Sequence, residues 1–250
     1  YSDENEQALA RVIAAAKKYK LPGFKLGIQL SHAGRKASTP YPWDRGAALT
    51  PEKGAWQTFA PSAIAFGDDV PPPKELTGAE IRNIIAAFAE SAKRAVRAGV
   101  DLIELHAAHG YLIHQFHSPL SNKRTDDWGG SEEKRLRFPL AVAEAVRAAT
   151  PAHVALGARI NSTDFVDGGL GVEDAVRLAG ELKSRGYYQG SNVSYNLKKL
   201  VDIGYMHHQR CRIDRRAVRV GLTQRGQNIR DIIARLFARH ARARARLVGW

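Results

Sequence analysis

"VDLIELHAAHGYLIHQFHSPLSNKRTDDWGG", residues 100–130, decides how this chain is read. It opens on a short apolar run of strand length that starts just after Gly99, and a run so bounded is the signature of a strand buried in a parallel sheet. The run ends on His106 and His109, with Tyr111 just beyond. Two imidazoles and a phenol at the end of a strand form a site-like arrangement, because loops at the C-terminal ends of parallel strands converge on one mouth.

Outward from this stretch the pattern repeats. Upstream, "TGAEIRNIIAAFAESAKRAVRAG" (77–99) has Thr77 placed as an N-cap, Glu80 three residues on to complete a capping box, and Gly99 as the stop. Downstream, "SEEKRLRFPLAVAEAVRAAT" (131–150) reads as a helix and "HVALGARIN" (153–161) as a strand. "GVEDAVRLAGELKSRG" (171–186) follows as a helix with Val172, Ala175, Leu178, Ala179 and Leu182 on one face. Before all of these, "ENEQALARVIAAAKKYK" (4–20) puts Leu9, Val12, Ile13 and Ala16 at helical spacing, and "FKLGIQLSH" (24–32) gives a first strand ending near Gln29 and His32. Strands alternating with helices predict an α/β fold with a parallel sheet. Polar residues cluster past each strand end: Gln29 and His32, then His106 and His109, then Arg159 and Asn161.

Composition sets the outer limits. The chain has 250 residues, 44% of them hydrophobic and 25% charged, and a single cysteine, Cys211. That is enough to bury a core, excludes an internal disulfide, and contains no long apolar run, so no membrane span and a cytoplasmic location are expected. The His-x-x-His pair has no third ligand at metal-site spacing, so no metal is expected.

Three stretches, "LGIQLSHAGRKAS" (26–38), the long run from Ile103 to Ala149 and "ARINSTDFVDGGL" (158–170), together resemble the old yellow enzyme family of FMN-dependent NAD(P)H dehydrogenases and ene-reductases, over about residues 2–186. The resemblance implies a partial TIM (β/α)8 barrel holding about strands 3 to 5 with their helices. It implies FMN as cofactor, NADH or NADPH as reductant, and an activated alkene such as an enone as substrate. In the family the positions matching His106 and His109 hold the substrate oxygen, on which negative charge grows. The position matching Tyr111 gives a proton to the alkene carbon. Gln29 and Arg159 match the amide and the cation at the flavin's pyrimidine edge. His114 and His117 read as structural, and Arg124 with Asp126 as pins of a loop. The family's phosphate-cradling strands match nothing in the chain, so weakened FMN binding is expected. A partial sheet has two open edges, so a homo-oligomer is expected as well.

Charge changes near residue 187. Of the net +13, residues 187–250 supply +11, from 14 Lys and Arg against three acids, which leaves +2 for the first 186 residues. A surplus on this scale fits a polyanionic partner. "GSNVSYNLKKLVDIGY" (190–205) reads as a short helix with Ser191 as N-cap and Asn192, Tyr195, Asn196 and Lys199 on its polar face. "YMHHQRCRIDRRAVRVGLT" (205–223) reads as two strands around a turn carrying Arg215 and Arg216, and a long helix follows. This order resembles the winged helix-turn-helix of the MarR family of dimeric regulators, over about residues 180–245. It implies a recognition helix, a wing tip at Arg215 and Arg216, and double-stranded DNA as partner. The predicted organisation is therefore residues 1–186 as a partial barrel and 187–250 as a partial winged helix with a long C-terminal helix, with 172–186 a junction helix that fits both. Three readings stay open from sequence: a flavin-dependent reductase, a DNA-binding regulator fragment, and a hybrid with neither activity.

Overall fold

The computed structural model describes residues 2–19, 23–41, 49–185, 201–210, 218–229 and 231. The chain forms two compact units, Tyr1–Tyr188 and Gln189–Trp250.

The first unit is built on a three-stranded parallel sheet. Its strands are β1 (Gly27–Leu30), β4 (Leu102–Ala107) and β5 (Ala155–Ile160), in the order β1-β4-β5. Helices connect them in the βα manner: α1 (Asp3–Lys18) before β1, α2 (Gly78–Ala98) before β4, α3 (Leu112–His117) and α4 (Glu132–Ala149) before β5, and α5 (Val172–Ser184) after it. The α2 termini are as the sequence predicts. Thr77 caps the helix, Glu80 reaches back to the Thr77 backbone in a full capping box, and Gly99 ends it at φ +101°, a conformation open to glycine.

The helices cover one face of the sheet. On that face Leu30, Ile103, Leu105, Ala107 and Leu156 join a core with Ile81, Phe88, Leu136, Val142, Val146 and Leu178. Side chains alternate along a strand, so Gln29, Glu104, His106 and Arg159 lie together on the opposite face, and the register pairs Gln29 with Glu104 and His106 with Arg159. The sequence reading of a strand buried on both faces is corrected here. Leu102 is 38% exposed, and Gln29 and Arg159 are exposed as well, because among the described residues no second layer covers that face. Two helix faces are corrected in the same way. Ile13 is buried while Val12 is 66% exposed, and Leu178 and Leu182 are buried while Val172 is 61% exposed and Ala179 is exposed. Each helix packs along a narrower strip than its apolar stripe.

A long excursion between β1 and α2 holds a 3-10 turn, Gly34–Lys36, and two very short parallel strands, β2 (Phe59–Ala60) and β3 (Lys74–Glu75), which the sequence did not disclose. The Arg124 and Asp126 loop holds this layer down. Buried Arg124 donates to Pro61 O at 2.8 Å and to Leu76 O at 2.7 Å, and it pairs with the carboxylates of Asp126 and Glu75.

The second unit shows an antiparallel hairpin of β6 (Met206–Arg210) and β7 (Val218–Leu222), as read from the sequence, and residues 224–229 are helical. Arg225 lies over the Tyr205 ring, 4.6 Å from its centroid. No helix among the described residues is long and apolar enough to cross a membrane.

Candidate active site

The site grows from the end of β4. After Ala107 the chain turns sharply, with His109 at φ +60° and Gly110 at φ +72°, and Tyr111 then caps α3. The turn folds three rings together: the His106 centroid lies 4.9 Å from His109 and 4.8 Å from Tyr111, both edge to face. His106 is 5% exposed, whereas His109 is exposed. Burial, then the neighbouring His109 and Arg159, push the His106 imidazole below its ordinary pKa, so it is neutral at neutral pH.

Two other strand-end segments reach this turn. From the segment after β1, Lys36 Nζ donates to His109 O at 2.7 Å and lies 4.4 Å from the Phe66 ring centroid and 5.9 Å from that of Tyr111. Burial, then Arg35, lower the Lys36 pKa. From the segment after β5, Asn161 Oδ1 accepts from His109 N at 3.0 Å. Beside them lies a buried hydrogen-bond network. His114 Nε2 is 2.9 Å from Asp164 Oδ1, and Asp164 Oδ2 accepts from Ser118 Oγ at 2.8 Å and from Leu170 N at 3.0 Å. Burial works to raise the Asp164 pKa, but the hydrogen bonds from His114, Leu170 and Ser118 hold it well below the carboxylate range. His117, also buried, is pushed down to about 4 by burial and by His114, and its Nε2 has no hydrogen-bond partner among the described residues.

Gln29 and Arg159 stand on the open sheet face beside His106. Gln29 Nε2 donates to Glu104 Oε1 at 2.5 Å, and the Arg159 guanidinium makes no hydrogen bond or salt bridge with the described residues. Along the free edge of β1, Gln29, Leu30 and His32 face Ile84, Ala87 and Phe88 of α2 across a groove of about 550 Å³.

The five reductase-type residues of the sequence analysis thus fall at one end and one face of a single sheet. Ser191, Asn192, Tyr195, Asn196, Lys199, Arg215, Arg216 and Cys211 lie outside the described residues. Sequence reasoning passed over Lys36, Glu104 and Asp164. Glu104 carries a signal that could have found it, since it sits two residues before His106 and so on the same strand face. Among the described residues no group of His, Cys, Asp and Glu could hold a metal ion.

The fold is α/β with a parallel sheet and polar residues at its strand ends, and it resembles that of TIM-barrel enzymes. Residues 1–228 match the NADH:flavin oxidoreductase / NADH oxidase family, and the chain belongs to that family. It is 40% identical over 186 residues to an NADPH dehydrogenase of Geobacillus thermodenitrificans, covering 74% of this chain and 49% of that one. It is 48% identical over 147 residues to an NADH:flavin oxidoreductase of Gibberella zeae, covering 57% and 36%. The fold superposes on morphinone reductase in complex with tetrahydroNAD with a TM-score of 0.59 at 32% identity, covering 74% and 52%. On a 2-naphthoyl-CoA reductase complex the TM-score is 0.63 at 27% identity, covering 73% and 27%. The chain spans about half the length of the NADPH dehydrogenases it matches.

Proposed function

We propose that residues 1–186 are about strands 3 to 5 of an old-yellow-enzyme-type barrel, and that the β4-end cluster serves the NAD(P)H-driven, FMN-dependent reduction of activated alkenes such as enones. The observation that carries this reading is the gathering of His106, His109 and Tyr111 into one cluster beside Arg159. In this reading the histidines receive the substrate's carbonyl or nitro oxygen and stabilise the charge that grows there. The Tyr111 hydroxyl supplies the proton that reaches the alkene carbon.

The open face suits a flavin's polar edge. Arg159 offers a cation with no partner among the described residues, and Gln29, steadied by Glu104, keeps its second N–H and its carbonyl oxygen for a ligand. FMN held there would supply the hydride. The experiment is NAD(P)H oxidation by the FMN-supplemented chain with a cyclic enone as acceptor. Tyr111→Phe is expected to slow turnover roughly a hundredfold, the low end for a lost general acid. Equal rates in the two proteins would remove Tyr111 from the chemistry.

A second reading rests on the hairpin of β6 and β7 and the +11 charge of residues 187–250. It makes this segment a MarR-like winged helix bound to double-stranded DNA through Arg215, Arg216 and the stretch 191–203 that the sequence reads as a recognition helix. The family match continues through residue 228, over the hairpin, and weighs toward the first reading. Salt-sensitive duplex binding lost in an Arg215→Ala, Arg216→Ala variant would favour the second.

A further inference from the structure

Gln29 of β1, Glu104 of β4 and Gly157 of β5 form one cross-strand row on the open sheet face, and the next row pairs His106 with Arg159. Glu104 is half-buried in this row, and its two neighbours differ. Gly157 has no side chain, and a Cβ built there would meet nothing within 4 Å. Gln29 gives a hydrogen from Nε2 to Glu104 Oε1 at 2.5 Å. A glycine inside a strand often marks a place where another group comes close, and Gly157 leaves the row open beside Arg159.

The two ends of a glutamine amide are alike in shape and opposite in hydrogen bonding, one a carbonyl and the other a pair of N–H donors. A carboxylate only accepts, so it admits one of the two orientations. With Glu104 as its neighbour, the Gln29 amide must turn Nε2 toward β4, which leaves Oε1 and the second N–H as an acceptor and a donor in fixed order. The pyrimidine edge of a flavin ring offers the complement, an imide N–H beside a carbonyl. We infer that Glu104 is a positioning residue for the flavin ring: it fixes the orientation of the Gln29 amide, so that acceptor and donor meet the imide edge in one order. The inference rests on the reductase reading and adds to it a residue that acts through Gln29 without touching the cofactor.

The test is FMN titration of the full chain, followed by flavin fluorescence, in a double-mutant cycle of Gln29→Ala and Glu104→Ala. Glu104→Ala is expected to weaken FMN binding roughly fivefold where Gln29 is present, the effect of one hydrogen bond, and to cause no weakening in the Gln29→Ala background. Glu104→Gln should bind between the unmodified chain and Glu104→Ala, because its amide still accepts but no longer selects the Gln29 orientation. A Glu104 that served only the sheet would weaken binding equally in both backgrounds. That result, or an affinity indifferent to Glu104→Ala, would overturn the inference, while binding that still depends on Arg159 would leave the flavin reading standing. Absence of saturable binding by the unmodified chain would overturn the reading and the inference with it. Circular dichroism shows which variants fold; should Glu104→Ala fail, Glu104→Gln in the two Gln29 backgrounds decides between the same outcomes.

Discussion

His117 shows at a single residue how the fold spends stability around its site. The ring is 3% exposed, its Nε2 lacks a partner among the described residues, and burial brings its pKa from 6.5 down to about 4. The folded state therefore binds this proton less readily than the unfolded chain does. The associated stability is fully present above about pH 6.5 and is lost as pH falls toward 4, by up to about 3 kcal/mol. Asp164 has its pKa lowered too, so its contribution fades only at more acid pH, below the ordinary carboxylate range. Urea titrations at pH 8 and pH 5 separate the two. His117→Leu should flatten the drop between those pH values, and an equal drop in both proteins would remove His117 as its source. At this scale the sequence disclosed the cluster at the strand end but not its support. His106, His109 and Tyr111 are legible because they follow one another at a strand end. Lys36 lies 73 residues from its partner His109, and Asp164 lies 46 from Ser118, separations that no local pattern reports.

Among the elements, those governed by neighbours in sequence were the most legible. The Thr77 to Glu80 box, the Gly99 stop and the three strands follow from local rules and are in the structure. The facing of each helix does not, because an apolar stripe states its period and not how much of it finds a partner: Val12 and Val172 share the spacing of their helices' buried residues and yet stand exposed. A fully buried aromatic stack joins α3 to α4. Phe116 and Phe138 are fully buried and stacked with centroids 4.1 Å apart. Phe138→Ala is expected to cost about 3–5 kcal/mol and to loosen α3, which lies directly after Tyr111. Thermal unfolding reads the first effect and hydrogen exchange across α3 the second. A loss below about 1 kcal/mol would mean that the stack is not holding the site's floor.

For the whole molecule the governing feature is the open sheet. Among the described residues β1 and β5 each have one neighbour in it and the face bearing Gln29, Glu104 and Arg159 has no cover, whereas parallel sheets are ordinarily covered on both faces. Open edges pair with other chains. Sedimentation velocity is expected to show species heavier than the 27.5 kDa chain at micromolar concentration, and a strictly monomeric profile would show that the edges are protected. The measurement that bears most directly on the central claim is titration of the purified chain with FMN, followed by flavin fluorescence, beside Arg159→Ala and His106→Ala. The reductase reading expects saturable binding that Arg159→Ala weakens roughly tenfold or more, the effect of losing one charge-assisted hydrogen bond, with a smaller change in His106→Ala. No saturable binding, or binding indifferent to Arg159, would contradict a flavin site on this face.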